Sequence, residues 1–182
     1  MSTHDGLRAA MRAAGSALKE QGPDFALAGS FALWAAGGPE PVHDVDFVVA
    51  EPDAEAATLT LDNAGFDIER PPEDWLFKAH MDGALVDVLH RVNGEPVTAK
   101  LLDRAEPRDV LAIRMPVLPV TVVLTQKLRA LNEHHCDFAA LLPAVRAVRE
   151  QVCWTELRDA TAHNDFAAAF LVLADRLGLT GQ

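Results

Sequence analysis

Three aspartates lie in strongly apolar stretches of the first half of the chain. Asp44 and Asp46 are two residues apart in DVDFVVA, and Asp87 lies between aliphatic residues in LVDVL. Residues two apart on a β-strand project from the same face. Carboxylates crowded beside a dry interior repel one another and take up protons unless a cation lies between them. Since magnesium prefers such oxygen ligands, we predict that these three residues bind two Mg²⁺ ions that assist a displacement.

A second candidate feature is the pair Gly29-Ser30, which follows the apolar stretch from Phe25 to Ala28 and precedes FALWAA, residues 31–36. We predict a short strand before the pair and a helix after it. The free N–H groups and the dipole at the start of a helix attract an anion. Gly29 would let the backbone approach closely, and the Ser30 hydroxyl can donate to a phosphate oxygen. The pair therefore predicts a phosphate site that faces the metal site.

The elements that must position these residues follow from the periodicity of the apolar residues. In residues 5–21, apolar residues recur at helical spacing and predict an amphipathic helix. Residues 44–50 are continuous and β-branched, which is typical of a buried strand. A helix over about 53–64 follows, and then three strands near 66–70, 75–81 and 84–92. Between the last two strands, Asp82-Gly83 is a strong signal for a two-residue hairpin.

The second half of the chain is predicted to be mainly helical. It contains a short helix over 97–103, strand-like runs in VLAIRMPVLP, and helices over about 120–132, 137–150, 154–162 and 164–177. Strands first and helices later predict an α+β fold, with a mixed β-sheet flanked by helices and followed by a helical C-terminal region. We divide the chain into an α/β core over residues 1–94 and a helical region over residues 95–182 that packs on the core.

Taken in order, these features resemble a known family. A strand ending in Gly-Ser, a helix, and Asp-x-Asp on the next strand form the signature of DNA polymerase β-type nucleotidyltransferases, which reads ALAGSFALWAAGGPEPVHDVDFVV in this chain. Asp87 matches the third acid of that family. The resemblance covers about residues 25–90 and implies a nucleotidyltransferase-like core. It also implies transfer of a nucleoside monophosphate from a nucleoside triphosphate to an acceptor, with pyrophosphate as the leaving group.

The resemblance also implies roles for single residues. Asp44 and Asp46 would hold both magnesium ions, and Asp87 would bind the catalytic ion and help to activate the acceptor hydroxyl. Gly29 and Ser30 would hold the β- and γ-phosphates of the nucleotide.

Further along the chain, VLTQKLRAL is similar to the helical lysine motif of the bacterial minimal and toxin-type members. That similarity implies that Lys127 reaches the triphosphate and that Asp137 belongs to the nucleotide site. The chain departs from the family at Pro41 and His43, where many members have Arg and Thr, and in EHHCDF, where histidines replace a basic pair.

Several of these residues also have purely structural interpretations. Lys127 could be a solvated lysine on an apolar helix, and Asp137 could cap the helix that follows it. Adjacent histidines on a helix face different ways, which disfavours a metal role for His134 and His135. We expect the three tryptophans, at positions 34, 75 and 154, to belong to the core.

The formal net charge of −11 disfavours a broad nucleic-acid-binding surface. The chain start lacks the apolar core of a signal peptide, and no apolar run is long enough to span a bilayer, so we expect a cytoplasmic protein without a membrane partner. Three hypotheses for the function remain open: transfer to the 3′ end of tRNA, as in toxin-type members, transfer to a small molecule such as an aminoglycoside, and a non-catalytic nucleotide-binding module. The first would rely on the basic stretch formed by Arg104, Arg108, Arg114, Lys127 and Arg129, and it would bring an antitoxin protein as a partner.

Overall fold

The computed structural model of the chain describes residues 3–180. Its first element is helix α1, Thr3–Gln21, as the apolar spacing predicts. The four apolar residues at helical spacing, Leu7, Met11, Ala14 and Leu18, are all buried. This buried stripe packs on the β-sheet of the molecule.

The other predicted elements of the first half are present with small shifts at their ends. They are β1 Phe25–Leu27, α2 Gly29–Ala35, β2 Val45–Val49, a 3₁₀ turn at Glu51–Asp53, α3 Ala54–Asn63, β3 Asp67–Glu69, β4 Leu76–Met81 and β5 Ala84–Leu89. Asp44 lies immediately before β2, one position earlier than the strand itself. The strand predicted to reach residue 92 ends at Leu89, and a small hairpin of β6 Arg91–Val92 and β7 Glu95–Pro96 follows it.

The second half adds both strands and helices. Its elements are α4 Ala99–Leu102, β8 Glu106–Val110, β9 Ile113–Val117, α5 Val120–Arg129, α6 Phe138–Val148, a 3₁₀ turn at Arg149–Gln151, α7 Trp154–Thr161 and α8 Asp165–Arg176. Helix α5 is central, because it packs against α2, α7 and α8. None of the helices within residues 3–180 has the length and apolar character that a membrane crossing requires.

One seven-stranded sheet organises the molecule, with strand order β3-β4-β5-β2-β1-β9-β8. The pairs β2–β5 and β1–β9 are parallel, and the other neighbouring strands are antiparallel. The predicted α+β class, with a mixed sheet flanked by helices and followed by C-terminal helices, is confirmed. Strands from both sides of residue 94 join this sheet, and the division of the chain into two domains there stays a prediction.

The Asp82-Gly83 turn fixes the register of β4 on β5. Both turn residues have positive φ, 51° and 78°, as a type I′ hairpin requires. Pairing proceeds outward from Met81 with Ala84 and brings Lys78 directly opposite Asp87. The local turn chemistry thus determines which side chain lies beside the third aspartate.

The two faces of the sheet at β2 carry different side chains. Phe47 on β2 is fully buried, contacts Phe25 edge-on with ring centroids 5.7 Å apart, and faces Gly15 of α1. Asp46 is its neighbour along the strand and therefore points to the opposite face. The α1 side forms one part of the core, and the other side of β2 and β5 carries the Asp46 and Asp87 carboxylates beside apolar residues such as Val48.

We predict that Phe47→Ala destabilises the protein by about 3–5 kcal/mol, because removal of a fully buried ring leaves a cavity beneath the sheet. Urea unfolding measures the effect. Leu59→Ala is the matched control, since Leu59 on α3 is 54% exposed and should change stability by less than about 0.5 kcal/mol. Equal losses in the two variants would contradict this description of the core.

Candidate active site

The parallel pairing of β2 with β5 brings the predicted aspartates together. Asp46 and Asp87 are direct partners in that register, and Asp44 lies two residues before Asp46. One carboxylate oxygen of each residue lies within 4.8 Å of those of the other two. At an effective dielectric constant of about 20, two such charges repel by about 3 kcal/mol. We call these three residues the aspartate cluster.

Of the three carboxyls, the half-buried Asp46 carboxyl has a pKa raised to about 7. Burial, followed by the charges of Asp44 and Asp87, raises its pKa from 3.8 to about 7. The Lys127 ammonium and a hydrogen bond from the Ser30 backbone N–H act in the opposite direction. In the absence of a cation, the cluster therefore holds a proton near neutral pH.

Asp87 is buried and has an oxygen that lacks a hydrogen bond. Burial raises the pKa of its carboxyl, while Lys78 lowers it and Asp44 raises it further. The Lys78 Nζ lies 3.5 Å from Asp87 Oδ1, which is close enough for an ion pair. Within residues 3–180, Oδ1 has no hydrogen-bond partner. Three carboxylates, one of them with an unsatisfied oxygen, fit the ligand set that Mg²⁺ prefers.

Gly29 is required by the aspartate cluster itself. Its φ is +54°, a conformation that favours glycine, and a Cβ atom there would overlap Oδ2 of Asp46. The sequence predicts a glycine here for the close approach of a phosphate. A second reason is that the backbone at Gly29 lies against the Asp46 carboxylate.

Ser30 and Lys127 meet although they are 97 residues apart in the chain. The Nζ of Lys127 on α5 donates to Ser30 Oγ at 3.2 Å. The packing of α5 on α2 makes this contact possible. Lys127 thus points at the predicted phosphate site, and the interpretation as a freely solvated lysine is wrong.

Asp137 is exposed and lies at the N-cap of α6, where its Oδ1 accepts a hydrogen bond from the Ala140 backbone N–H at 3.0 Å. This is the capping role that the sequence analysis left open. Within the described part of the chain, no hydrogen bond or ion pair joins Asp137 to the aspartate cluster or to Lys127. A role for Asp137 in nucleotide binding stays a prediction. His134 and His135 are also exposed, and their backbone N–H groups bind the Asn132 side chain.

Two cavities open beside the aspartate cluster, and Lys127 contributes to both. The larger has a volume of about 530 Å³ and also includes Gly29 and Asp46 in its lining. The smaller, of about 340 Å³, includes Ser30 and Asp44. The cluster therefore has room for a bound molecule on two sides.

Two residues of the site were missed from the sequence. Lys78 could have been found, because a two-residue turn at Asp82-Gly83 requires residue 78 to pair with residue 87. Trp75 was expected in the core, but it is 43% exposed and lines the larger cavity. Trp75 lies directly before β4, and the sequence around it does not predict that its side chain is exposed.

Comparisons with known proteins support the fold at low sequence identity. No protein-family model matches the chain, and no curated protein matches it in sequence. A solution structure of the antibiotic-resistance factor ANT(2″)-Ia is similar with a TM-score of 0.63 and 12% identity, over 94% of this chain and 96% of that one. A crystal structure of ANT(2″)-Ia in complex with adenylyl-2″-tobramycin is similar with a TM-score of 0.64 and 11% identity, over 91% and 97%.

A Thermotoga maritima protein described as a nucleotidyltransferase has a TM-score of 0.55 and 18% identity, over 74% of this chain and 88% of that one. Similarity at these identities concerns the fold. The fold that the resemblance of residues 25–90 predicts is confirmed: the chain has the fold of these nucleotidyltransferase structures.

Proposed function

We propose that this protein is a magnesium-dependent nucleotidyltransferase that moves a nucleoside monophosphate from a nucleoside triphosphate to an acceptor hydroxyl. The observation that carries the proposal is the meeting of the aspartate cluster with Gly29, Ser30 and Lys127. Crowded carboxylates that need a cation lie next to a cation and a hydroxyl that suit phosphate oxygens. This combination matches the needs of phosphoryl-group chemistry, in which positioning and charge stabilisation supply most of the catalysis.

In this proposal Asp44 and Asp46 would hold both magnesium ions, and Asp87 would bind the catalytic ion. Bound Mg²⁺ would polarise the α-phosphate and offset the charge of the leaving pyrophosphate. It would also offset the charges of Asp44 and Asp87, which add to the effect of burial in raising the pKa of Asp46. A non-catalytic module would have no use for three buried or half-buried acids that destabilise its own fold.

The triphosphate is held on the β1 side of the aspartate cluster. Ser30 Oγ donates to a phosphate oxygen, and Lys127 supplies a point charge to the same group. Their mutual hydrogen bond at 3.2 Å shows that both atoms converge on one place. The Ser30 backbone N–H already binds Asp46, so the hydroxyl and the ammonium are the proposed phosphate donors.

The acceptor hydroxyl lies at Asp87, the residue of the aspartate cluster on β5, which β2 separates from β1. The acceptor oxygen forms a bond to the α-phosphorus, and the bond from that phosphorus to the bridging oxygen of pyrophosphate breaks. The hydroxyl proton passes to Asp87, whose pKa burial has raised. Lys78 keeps the Asp87 carboxylate in place from β4.

The charge distribution favours a small cationic acceptor over tRNA. Each of the four arginines in the basic stretch forms an ion pair with an acid: Arg104 with Glu156, Arg108 with Glu106, Arg114 with Asp109, and Arg129 with Glu95. RNA binding depends on several unpaired cations that contact phosphates. With these arginines paired and a net charge of −11, the surface suits a polycation better.

The similarity to ANT(2″)-Ia, which extends over nearly the whole of both chains, also supports an acceptor of the aminoglycoside class. Transfer to tRNA and an antitoxin partner remain predictions from the sequence. They are outcomes that the acceptor assay below can return.

We predict that Asp46→Asn abolishes nucleotidyl transfer and leaves the fold intact. The amide cannot supply the carboxylate charge that a magnesium ion needs, and it removes a repulsion from the apo protein. Transfer of labelled nucleotide and thermal unfolding are the two measurements. Asp62→Asn, an exposed change on α3, should match the wild type in both. Transfer at the wild-type rate in Asp46→Asn would overturn the assignment of the metal site.

We predict that Mg²⁺ binds about tenfold more weakly at pH 6 than at pH 8. Asp46 must lose its proton to bind the ion, and its pKa in the folded protein is about 7. Because the pKa of Asp46 is higher in the folded protein than its ordinary value of 3.8, the bound proton stabilises the apo protein. This contribution is fully present below pH 3.8 and is lost as the pH rises through about 7. Calorimetric titration with Mg²⁺ measures the affinity.

The control for the pH effect is the Asp46→Asn variant, in which the remaining Mg²⁺ affinity should depend much less on pH over this range. Equal affinities of the wild type at pH 6 and pH 8 would contradict the assignment of the titrating group to Asp46.

We predict that the wild-type protein, given each labelled nucleoside triphosphate and Mg²⁺, labels an aminoglycoside rather than bulk tRNA. Asp46→Asn serves as the blank in every reaction. Label on tRNA would favour the toxin-type function and would make a search for an antitoxin worthwhile. No label on any acceptor, with magnesium-dependent nucleotide binding retained, would favour a non-catalytic nucleotide-binding module.

A further inference from the structure

The lining of the larger cavity beside the aspartate cluster combines two kinds of residue. Gly29, Asp46 and Lys127 connect the cavity to the proposed phosphate site, and Trp75 and Asn93 add an aromatic ring and an amide. We propose that this cavity binds the nucleoside part of the triphosphate, with the base stacked on Trp75, and we call it the nucleoside cavity. The inference rests on the proposed function, because it assumes that the phosphates lie at Lys127.

The walls of the nucleoside cavity are apolar. Val48 of β2, Leu89 of β5 and Val123 of α5 face it from the sheet and from the helix. A volume of about 530 Å³, apolar walls and a few polar groups are typical of a site for a small organic molecule. Such walls suit a flat uncharged base.

Trp75 offers an exposed aromatic ring to the nucleoside cavity, and hydrogen bonds anchor its backbone. Its backbone carbonyl accepts hydrogen bonds from the N–H groups of His90 at 3.0 Å and Arg91 at 3.1 Å, which anchor it immediately before β4. The side chain is nevertheless exposed, although tryptophan is normally well buried. None of the ring–ring contacts found in residues 3–180 involves it. An anchored, exposed indole is a surface on which any nucleobase can stack.

Polar groups for the edge of the base come from the hairpin β6–β7 and from α5. Asn93 Nδ2 donates to the backbone carbonyl of Gln126 at 3.0 Å, and Arg129 forms an ion pair with Glu95 at 3.0 Å. These two contacts hold the hairpin against the helix. In the described part of the chain, Asn93 Oδ1 and the Gln126 side-chain amide take part in no hydrogen bond. One acceptor and one amide are therefore available at the cavity wall.

The position of the cavity favours the nucleotide over the acceptor. In a phosphoryl transfer the attacking and leaving oxygens lie roughly in line, on opposite sides of the phosphorus. The nucleoside cavity reaches the phosphate side of the cluster at Gly29 and Lys127, and Asp87 is absent from its described lining. The smaller cavity reaches Ser30 and Asp44, but its described lining contains no tryptophan or phenylalanine on which a base could stack.

Binding of the four nucleoside triphosphates in the presence of Mg²⁺ and without acceptor tests this inference by calorimetry. Trp75→Ala should raise the Kd of each triphosphate that binds by about tenfold, because a stacking surface is lost. Trp75→Phe should restore most of the affinity. Gln126→Ala should change the ranking of the four triphosphates, since the variant loses a group at the edge of the base.

Leu59→Ala is the matched control, because it also truncates a large exposed apolar side chain and should leave all affinities unchanged. Unchanged triphosphate binding in Trp75→Ala, with a raised KM for the acceptor, would overturn the inference and give the cavity to the acceptor. Wild-type protein that binds no triphosphate at all would overturn the proposed function, and the assignment of the cavity with it.

Discussion

Three carboxylates crowd together where β2 and β5 run side by side, and their mutual repulsion limits how the neighbouring residues can be arranged. Two parallel strands in register bring Asp46 beside Asp87, and burial makes each charge costly. At about 3 kcal/mol, the repulsion between two full charges would be a large part of the stability of an ordinary domain, about 5–15 kcal/mol. The raised pKa of Asp46 and the ammonium groups of Lys78 and Lys127 reduce this repulsion, and a bound cation would do the same.

Two lysines from different elements reduce the repulsion. Lys78 reaches Asp87 from β4, and Lys127 acts on Asp46 from α5 while it contacts Ser30. The C-terminal half therefore does more than complete the core, because its helix α5 carries one of these two lysines.

The four arginines of the basic stretch pair with acids outside the aspartate cluster. Arginines that look like a basic stretch in the sequence are paired with acids, in some cases with acids far away along the chain, as in Arg104 with Glu156. Exposed pairs of this kind add little stability. Their consequence is electrostatic: arginines paired with acids offer little free cationic surface to a polyanion, and the chain as a whole carries a net charge of −11.

Local signals in the sequence predict most of the elements and most of the candidate residues. Apolar spacing predicts α1, and the Asp82-Gly83 turn predicts the β4–β5 hairpin, whose register pairs Lys78 with Asp87. The parallel register of β2 on β5, the contact between Lys127 and Ser30, and the exposure of Trp75 follow from the packing of the folded chain. Each of these depends on segments that are distant in the chain, and turn chemistry or periodicity cannot encode such contacts. The capping role of Asp137 is a local interaction that the sequence can predict, because the cap and the helix it begins are neighbours in the chain.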